Sequence, residues 1–398
     1  MATAPDPTAH YLTPAGERAL AVVIAVVTAN AYYIHPIIRE VALHFGVSDA
    51  AIGLVPALNQ LALALGILLL LPLGDRFSNR TLTIVFVTGQ TVSLALMTVA
   101  EAYSIFVAAS TLLGFFTIAP YLLPAYASKR VAPERLGQVT AMLTAGVIFG
   151  ILVARVGAGI VTEQFGWRAV YWIATALMVA VTIALPFLMD RPRAARERQT
   201  PYLELLRSLG PLMNRHREVL VSGIIQALNF ASFIALWLGL ALHLTSPELG
   251  YGVDTVGYLA GVAAISVFST PRLGRLADRI GPLKARAIFS VVQLAGIALF
   301  YPLGSSVWTI LVPLALVNLV GPGIDVAGRM TFLALPPERR TRLTTIYVVL
   351  MFIGGGIGSL LGTWTYDHGG WAGTCALLAA IALVSTAISL LAAKRSAS

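Results

Sequence analysis

Three ionisable side chains of strong charge and one histidine stand inside or at the ends of long apolar runs: Arg155, Asp325, Arg329 and His35. A carboxylate so placed can take up and release a proton. A guanidinium there can hold a carboxylate or phosphate, or yield to an arriving proton, and an imidazole titrates near neutral pH. Asn318, Asp325 and Arg329 are spaced i, i+7 and i+11, within about 40° of one another on a helix. Of eighteen acidic residues only Asp325 lies deep in an apolar run. Two readings stand for it: a proton-coupling site, or a fixed structural pair with Arg329. Arg155 also has two: an anchor or coupling charge, or a pair with a carboxylate such as Glu40. Thr28, Tyr32, His35 and Arg39 share roughly 60° of another helical wheel, with Asn30 opposite. Gln226, Asn229, Phe233 and Trp237 mark one face of a further run, and Tyr121 belongs to yet another. Aromatics with sparse amides suit an amphipathic organic ligand, although each ring alone is equally read as packing.

The runs that carry these residues must be membrane helices. Hydrophobic residues make up 58% of the 398 and charged residues 11%, against about 45–50% and about 25% in soluble domains. A soluble core cannot absorb that excess. Cys375 is the only cysteine, so no disulfide scaffold is expected. The net charge of +9 lies in short clusters between the runs, which points to the lipid bilayer rather than to nucleic acid. Twelve runs read as helices: 17–39, 49–73, 81–100, 104–127, 138–162, 169–189, 217–243, 254–273, 287–303, 308–335, 343–366 and 372–392. Each can cross a hydrocarbon core of about 30 Å with its backbone hydrogen-bonded internally. With twelve spans, 23 of the 27 basic residues fall on the side of the termini. The positive-inside rule then places both termini in the cytoplasm and the chain in the cell (inner) membrane.

The chain is one unit written twice. Asp75-Arg76 recurs as Asp278-Arg279 at a displacement of 203, and Pro133-Glu134-Arg135 as Pro337-Glu338-Arg339 at 204. Gly166-Trp167 recurs as Gly370-Trp371, again at 204. Two six-helix bundles, 1–189 and 217–398, are expected, joined by a linker over 190–216. In the linker Tyr202, Leu205, Leu206 and Leu209 recur at helical spacing, which fits either an interfacial helix or a solvated connection.

Gly274-Arg275-Leu276-Ala277-Asp278-Arg279-Ile280-Gly281, and a degraded copy keeping Asp75, Arg76 and Arg80, resemble the loop signature of the major facilitator superfamily. The stretches Asn30-Ala31-Tyr32-Tyr33, Pro72-Leu73-Gly74-Asp75 and Gly166-Trp167-Arg168 are similar to its bacterial drug and metabolite efflux branch. The resemblance implies that helices 1, 4, 7 and 10 line a central cavity, so the Asn318–Asp325–Arg329 stripe faces it. It also implies a cytoplasmic gate in which Asp75 faces the start of helix 11 and Asp278 the start of helix 5. Arg76 and Arg279 would there pair with cytoplasmic carboxylates. Two departures count against antiport: Gly150-Ile151-Leu152-Val153-Ala154-Arg155 replaces the branch's Gly-Pro-x-x-Gly-Gly signature, and Ser110 replaces an arginine in helix 4.

No Gly-Lys-Ser/Thr phosphate loop, metal-ligand spacing or nucleophile–base pattern occurs, so neither enzyme activity, metal, cofactor nor ATP drive is expected. The expected protein is a monomeric secondary transporter exporting small organic molecules in exchange for protons. Proton-coupled uptake of a small organic anion is the alternative, and a non-transporting receptor a third reading.

Overall fold

A computed structural model describes residues 12–190, 210, 211, 213, 216–333 and 337–395, with Asp75, Pro133, 333 and 337–341 in backbone only. The described residues are helical, without strands. In chain order the membrane segments are α1 (Pro14–Phe45), α2 (Asp49–Gly74), α3 (Asn79–Val99), α4 (Tyr103–Ser128), α5 (Leu136–Phe165), α6 (Trp167–Leu188), α7 (Arg217–Leu244), α8 (Val253–Ile280), α9 (Pro282–Ala298) and α10 (Val307–Leu333). The last helix, Pro337–Arg395, is broken at Gly370, where φ is 54° and ψ −148°, into α11 and α12. Ten helices are long and apolar enough to cross a membrane when that last one is taken whole. Dividing it at Gly370 and adding the 17-residue α9, about 25 Å long, gives the twelve expected segments.

Several of these segments are not continuous rods. In α1 the regular ladder stops at Ala29 and resumes at Ile34. Pro36 has no N–H, and its ring crowds the carbonyl four residues back. The chain turns instead on short i+3 bonds, with Tyr32 N–H to Ala29 O at 2.9 Å and His35 N–H to Tyr32 O at 3.2 Å. In α4 the break falls at Thr117 (φ −75°, ψ 53°), just before Pro120. The α9 helix begins at Pro282, five residues ahead of the sequence-based start, which takes Arg286 out of the loop and into the bundle.

Lipid tails are as apolar as leucine, so helices associate through close backbone approach and hydrogen bonds rather than a hydrophobic drive. The repeat shows in both bundles. A Cβ on Gly150 of α5 would lie 2.3 Å from Ala25 O, and one on Gly354 of α11 2.1 Å from Ala227 O. Hydroxyl pairs join α3 to α6, with Thr98–Thr175 at 2.9 Å and Thr91–Thr182 at 2.8 Å. Each such pair contributes about 0.6 kcal/mol. Phe187 and Trp308 stand exposed on the outside at helix ends, as aromatic residues at a membrane–water interface do.

The bundles meet through α2 with α11 and α5 with α8, from mid-membrane to the face away from the termini. Ser359 Oγ donates to Gly53 O at 2.9 Å, and Glu163 Oε2 accepts the Val253 N–H at 3.1 Å. Toward the termini the helices part. Val253–Val262 packs on α5, whereas Ile265–Ile280 packs on α9 and α10 of its own bundle. Gln138, Thr140 and Thr144 of α5 are left exposed. The protein is therefore closed on the far face and open on the face of the termini.

Glu163 caps the first turn of α8 from the opposite bundle, an arrangement worth about 1 kcal/mol for a carboxylate at a helix start. Glu163→Ala is expected to shift the closed state by about fivefold. Labelling of Ser359→Cys, buried at 0% exposure in this state, by a membrane-impermeant maleimide in a Cys375→Ala background measures the shift. An unchanged labelling rate would show the cap to be idle.

Candidate functional site

Arg155 is 1% exposed and sits where the bundles touch. Its Nη2 is 2.9 Å from His35 Nδ1 of α1. The guanidinium carbon lies 4.5 Å from the Trp237 ring and 4.6 Å from Phe233, both on α7, and 5.5 Å from Tyr32. The first bundle thus supplies the cation and the second supplies two of its three aromatic faces. The break before Pro36 turns Tyr32 and His35 onto this centre; the two rings stand edge to face at 5.2 Å. A charge at this depth costs about 2.5–3.5 kcal/mol on insertion scales, and each desolvated cation–π contact returns about 0.5–2 kcal/mol. The rings therefore offset most of the cost without a carboxylate. Glu40 takes no part; among the described residues no carboxylate lies within 4 Å of Arg155.

Asp325 lies deeper toward the open face. Arg329 Nε donates to both its oxygens, at 3.0 and 3.1 Å, and Tyr347 Oη of α11 donates to Oδ1 at 2.9 Å. The Arg329 guanidinium also covers the Tyr347 ring at 5.1 Å. The pair is 29% and 32% exposed, so a carboxylate within the membrane is wetted from the open side. Tyr121 of α4 faces Phe352 of α11 at 6.4 Å, closing the space between the bundles beside this pair.

The other candidates fall into distinct roles. Asn229 Nδ2 donates to Gln226 Oε1 and Gly321 O, both at 3.3 Å, and Gln293 Nε2 donates to Asn229 Oδ1 at 2.8 Å, so an amide chain ties α7, α9 and α10. Asn318 turns back on Leu314 O at 2.8 Å, and Asn30 on Val27 O at 3.4 Å. In the candidate gate, the Asp75 side chain lies outside the described residues. Arg76, Asp278 and Arg279 are exposed and form no ion pair among the described residues, as the parted helices require. Arg80 stays within its bundle, donating to Met189 O at 2.8 Å and Pro186 O at 3.1 Å at the end of α6. The expected interfacial helix around 202–209 lies outside the described residues.

Three participants were not foreseen. Tyr347 hydrogen-bonds Asp325 from another helix. Arg286 is 1% exposed and donates to Ser222 Oγ at 2.7 Å. Gln90 Nε2 joins Val27 O at 3.1 Å to Thr117 Oγ1 at 3.0 Å, knitting α1, α3 and α4 as Gln293 knits the second bundle. Gln90 and Gln293 stand 203 residues apart, so the repeat offset itself was the signal.

Two pseudo-symmetric helical bundles, sealed at one face and parted at the other around membrane-embedded charges, have the architecture of a multi-pass membrane transporter. The family model described as Major Facilitator Superfamily matches residues 20–327 and 222–398, and the chain belongs to that superfamily. It is 28% identical over 378 residues to "Uncharacterized transporter YgaY" of Escherichia coli O157:H7, covering 94% of this chain and 95% of that one. Against "Multidrug resistance protein MdtG" of Citrobacter koseri it is 26% identical over 220 residues, 53% of this chain and 52% of that one. Among solved structures, a bacterial homologue of the human lysosomal transporter Spinster, inward-facing and occupied, matches with a TM-score of 0.77 at 16% identity, covering 94% and 96% of the two chains.

Proposed function

We propose that the protein exports small amphipathic organic molecules across the cytoplasmic membrane in exchange for protons, by alternating access. The observation that carries this reading is the Asp325–Arg329–Tyr347 group: a carboxylate inside a membrane segment, paired yet part-exposed, on the side where the bundles part. With the termini cytoplasmic, the open state faces the cytoplasm, and the formed ion pair is the state that follows proton release there. A proton arriving from the far side in the alternate state would remove the negative partner of Arg329 and loosen α10 from α11. Linkage then ties substrate release to proton uptake. The two bundles rock about the mid-membrane contacts made by Arg155. The partial likeness to MdtG supports export.

A second reading, proton-coupled uptake of a small organic anion, is favoured by the balance of embedded charge. Away from the helix ends, Arg155 and Arg329 outnumber the one carboxylate, Asp325, among the described membrane residues. Right-side-out vesicles separate the two. When the medium is acidified, loaded ethidium should leave faster under antiport, whereas naphthalene-1-sulfonate should be drawn inward under symport. Export is wrong if acidification leaves ethidium efflux unchanged and drives the sulfonate in.

A further inference from the structure

We propose that Arg155, positioned by His35, and Trp237 form the site that holds the anionic group of a small aromatic acid. The inference names the substrate class within the transporter reading above; it rests on transport of a small molecule but not on the direction of transport.

The rings around Arg155 face its charge, but they offer no acceptor to its N–H groups. Its Nη2 reaches His35 Nδ1 at 2.9 Å, and Nε is buried without an acceptor. Arginine has no lone pair to give, so Nδ1 must be the acceptor and the histidine proton sits on Nε2. That Nε2–H is also buried without a partner. So is the indole Nε1–H of Trp237, whose ring lies 4.5 Å from the same guanidinium. Two orphan donors thus lie at one cation, Arg155 Nε and Trp237 Nε1, and both call for acceptor lone pairs, while His35 Nε2–H leaves its ring on the side away from Arg155. A carboxylate or sulfonate carries several acceptor sites on one compact group and adds the missing negative charge.

The apolar part of the ligand is defined by the rings. Phe230 and Phe233 stack at 5.7 Å with 18° between their planes, and Phe233 and Trp237 stand one turn apart on α7. An aromatic body that parts α1 from α7, which are packed together here, meets these rings while its acid group meets the donors. The donors come from both bundles: Arg155 from the first, Trp237 from the second. A bound anion therefore touches both moving parts, as a transported molecule must. Arg155 has Ser359 as its repeat counterpart, and that serine bonds Gly53 O at 2.9 Å across the bundles. The second bundle thus repeats the contact but not the charge, so the fold itself does not call for a cation here.

The test uses the purified full chain in detergent, without any gradient. Titration calorimetry compares naphthalene-1-sulfonate with its uncharged isostere naphthalene-1-sulfonamide and with methanesulfonate. The aromatic sulfonate should bind at least about tenfold more tightly than either, as charge-assisted bonds require. Arg155→Gln should remove that preference. Trp237→Phe, which keeps a ring and loses the donor, should weaken sulfonate binding about threefold to tenfold. Equal affinity for sulfonate and sulfonamide in the wild type overturns the proposal. So does an Arg155→Gln protein that keeps the preference. If that variant does not fold, an unchanged sulfonate affinity in Trp237→Phe overturns it instead. Binding is read without a proton gradient, so sulfonate binding that survives a failure of proton-driven transport sinks only the coupling reading. Gradient-driven export of ethidium by a protein that ignores the sulfonate sinks only this one.

Discussion

Asp325→Asn is expected to abolish accumulation against a gradient while leaving the protein folded and able to exchange substrate. One proton moved per substrate sustains about a tenfold concentration ratio for each unit of pH difference. An amide cannot carry that proton, so the ratio should fall to one. The substitution is mild in shape. Its carbonyl oxygen can still accept from Tyr347 Oη and from Arg329 Nε, which now approach the carboxylate at 2.9 and 3.0 Å. Its cost is the loss of the counter-charge. Removing one partner of a fully buried pair costs about 3–5 kcal/mol, but these side chains are 29% and 32% exposed, and water at the open face screens the remainder. The double variant Asp325→Asn/Arg329→Gln removes the stranded cation and should recover thermal stability without recovering accumulation. Transport by proteoliposomes under an imposed pH gradient, with counterflow at equal pH as the control, measures both. A pH-driven ratio that survives in Asp325→Asn would move the coupling site elsewhere.

What could be read from the sequence depended on how local the interaction is. The Asp325–Arg329 pair lies within one helical turn, so spacing alone exposed it. Tyr347, which completes the group, comes from α11, and its approach depends on how two helices pack. Arg155 was legible as an embedded charge, but its partner was not. Of its two readings, the one that paired it with a carboxylate such as Glu40 gave way to His35 and to rings of the other bundle, because which face α5 turns inward is set by Gly150 against α1. Arg286 was hidden by a boundary. Counted among loop charges, it enters the bundle because Pro282 can open α9 at the first position after Gly281, whose φ of 89° ends α8. The repeat, by contrast, was legible at long range, since its motifs recur at a fixed offset without any packing argument.

The same logic of contact separates the glycines of α5 into three kinds, and the difference predicts a conformational lock. A Cβ on Gly150 would meet Ala25 O at 2.3 Å, inside the bundle. One on Gly157 would meet nothing within 4 Å. One on Gly159 would lie 2.8 Å from Val253 O and 2.9 Å from Gly257 Cα, across the bundles. These are backbone atoms of α8, so only separation of the bundles relieves the overlap. Overpacking by a methyl group costs about 1–3 kcal/mol, and moving a two-state equilibrium from 99:1 to 1:99 takes about 5.5 kcal/mol. Gly159→Ala should therefore shift the population part of the way, and Gly159→Leu should hold the far face open. The leucine variant is expected to insert normally, to label Ser359→Cys at least about tenfold faster than the parent, and to retain under about a tenth of its transport. Gly157→Leu on the same helix should change neither. Gly150→Leu should instead lower the yield of folded protein, because its clash lies within one bundle and no rocking motion relieves it. Rapid labelling in Gly157→Leu, or none in Gly159→Leu, would mean that α5 and α8 do not form the far-face seal.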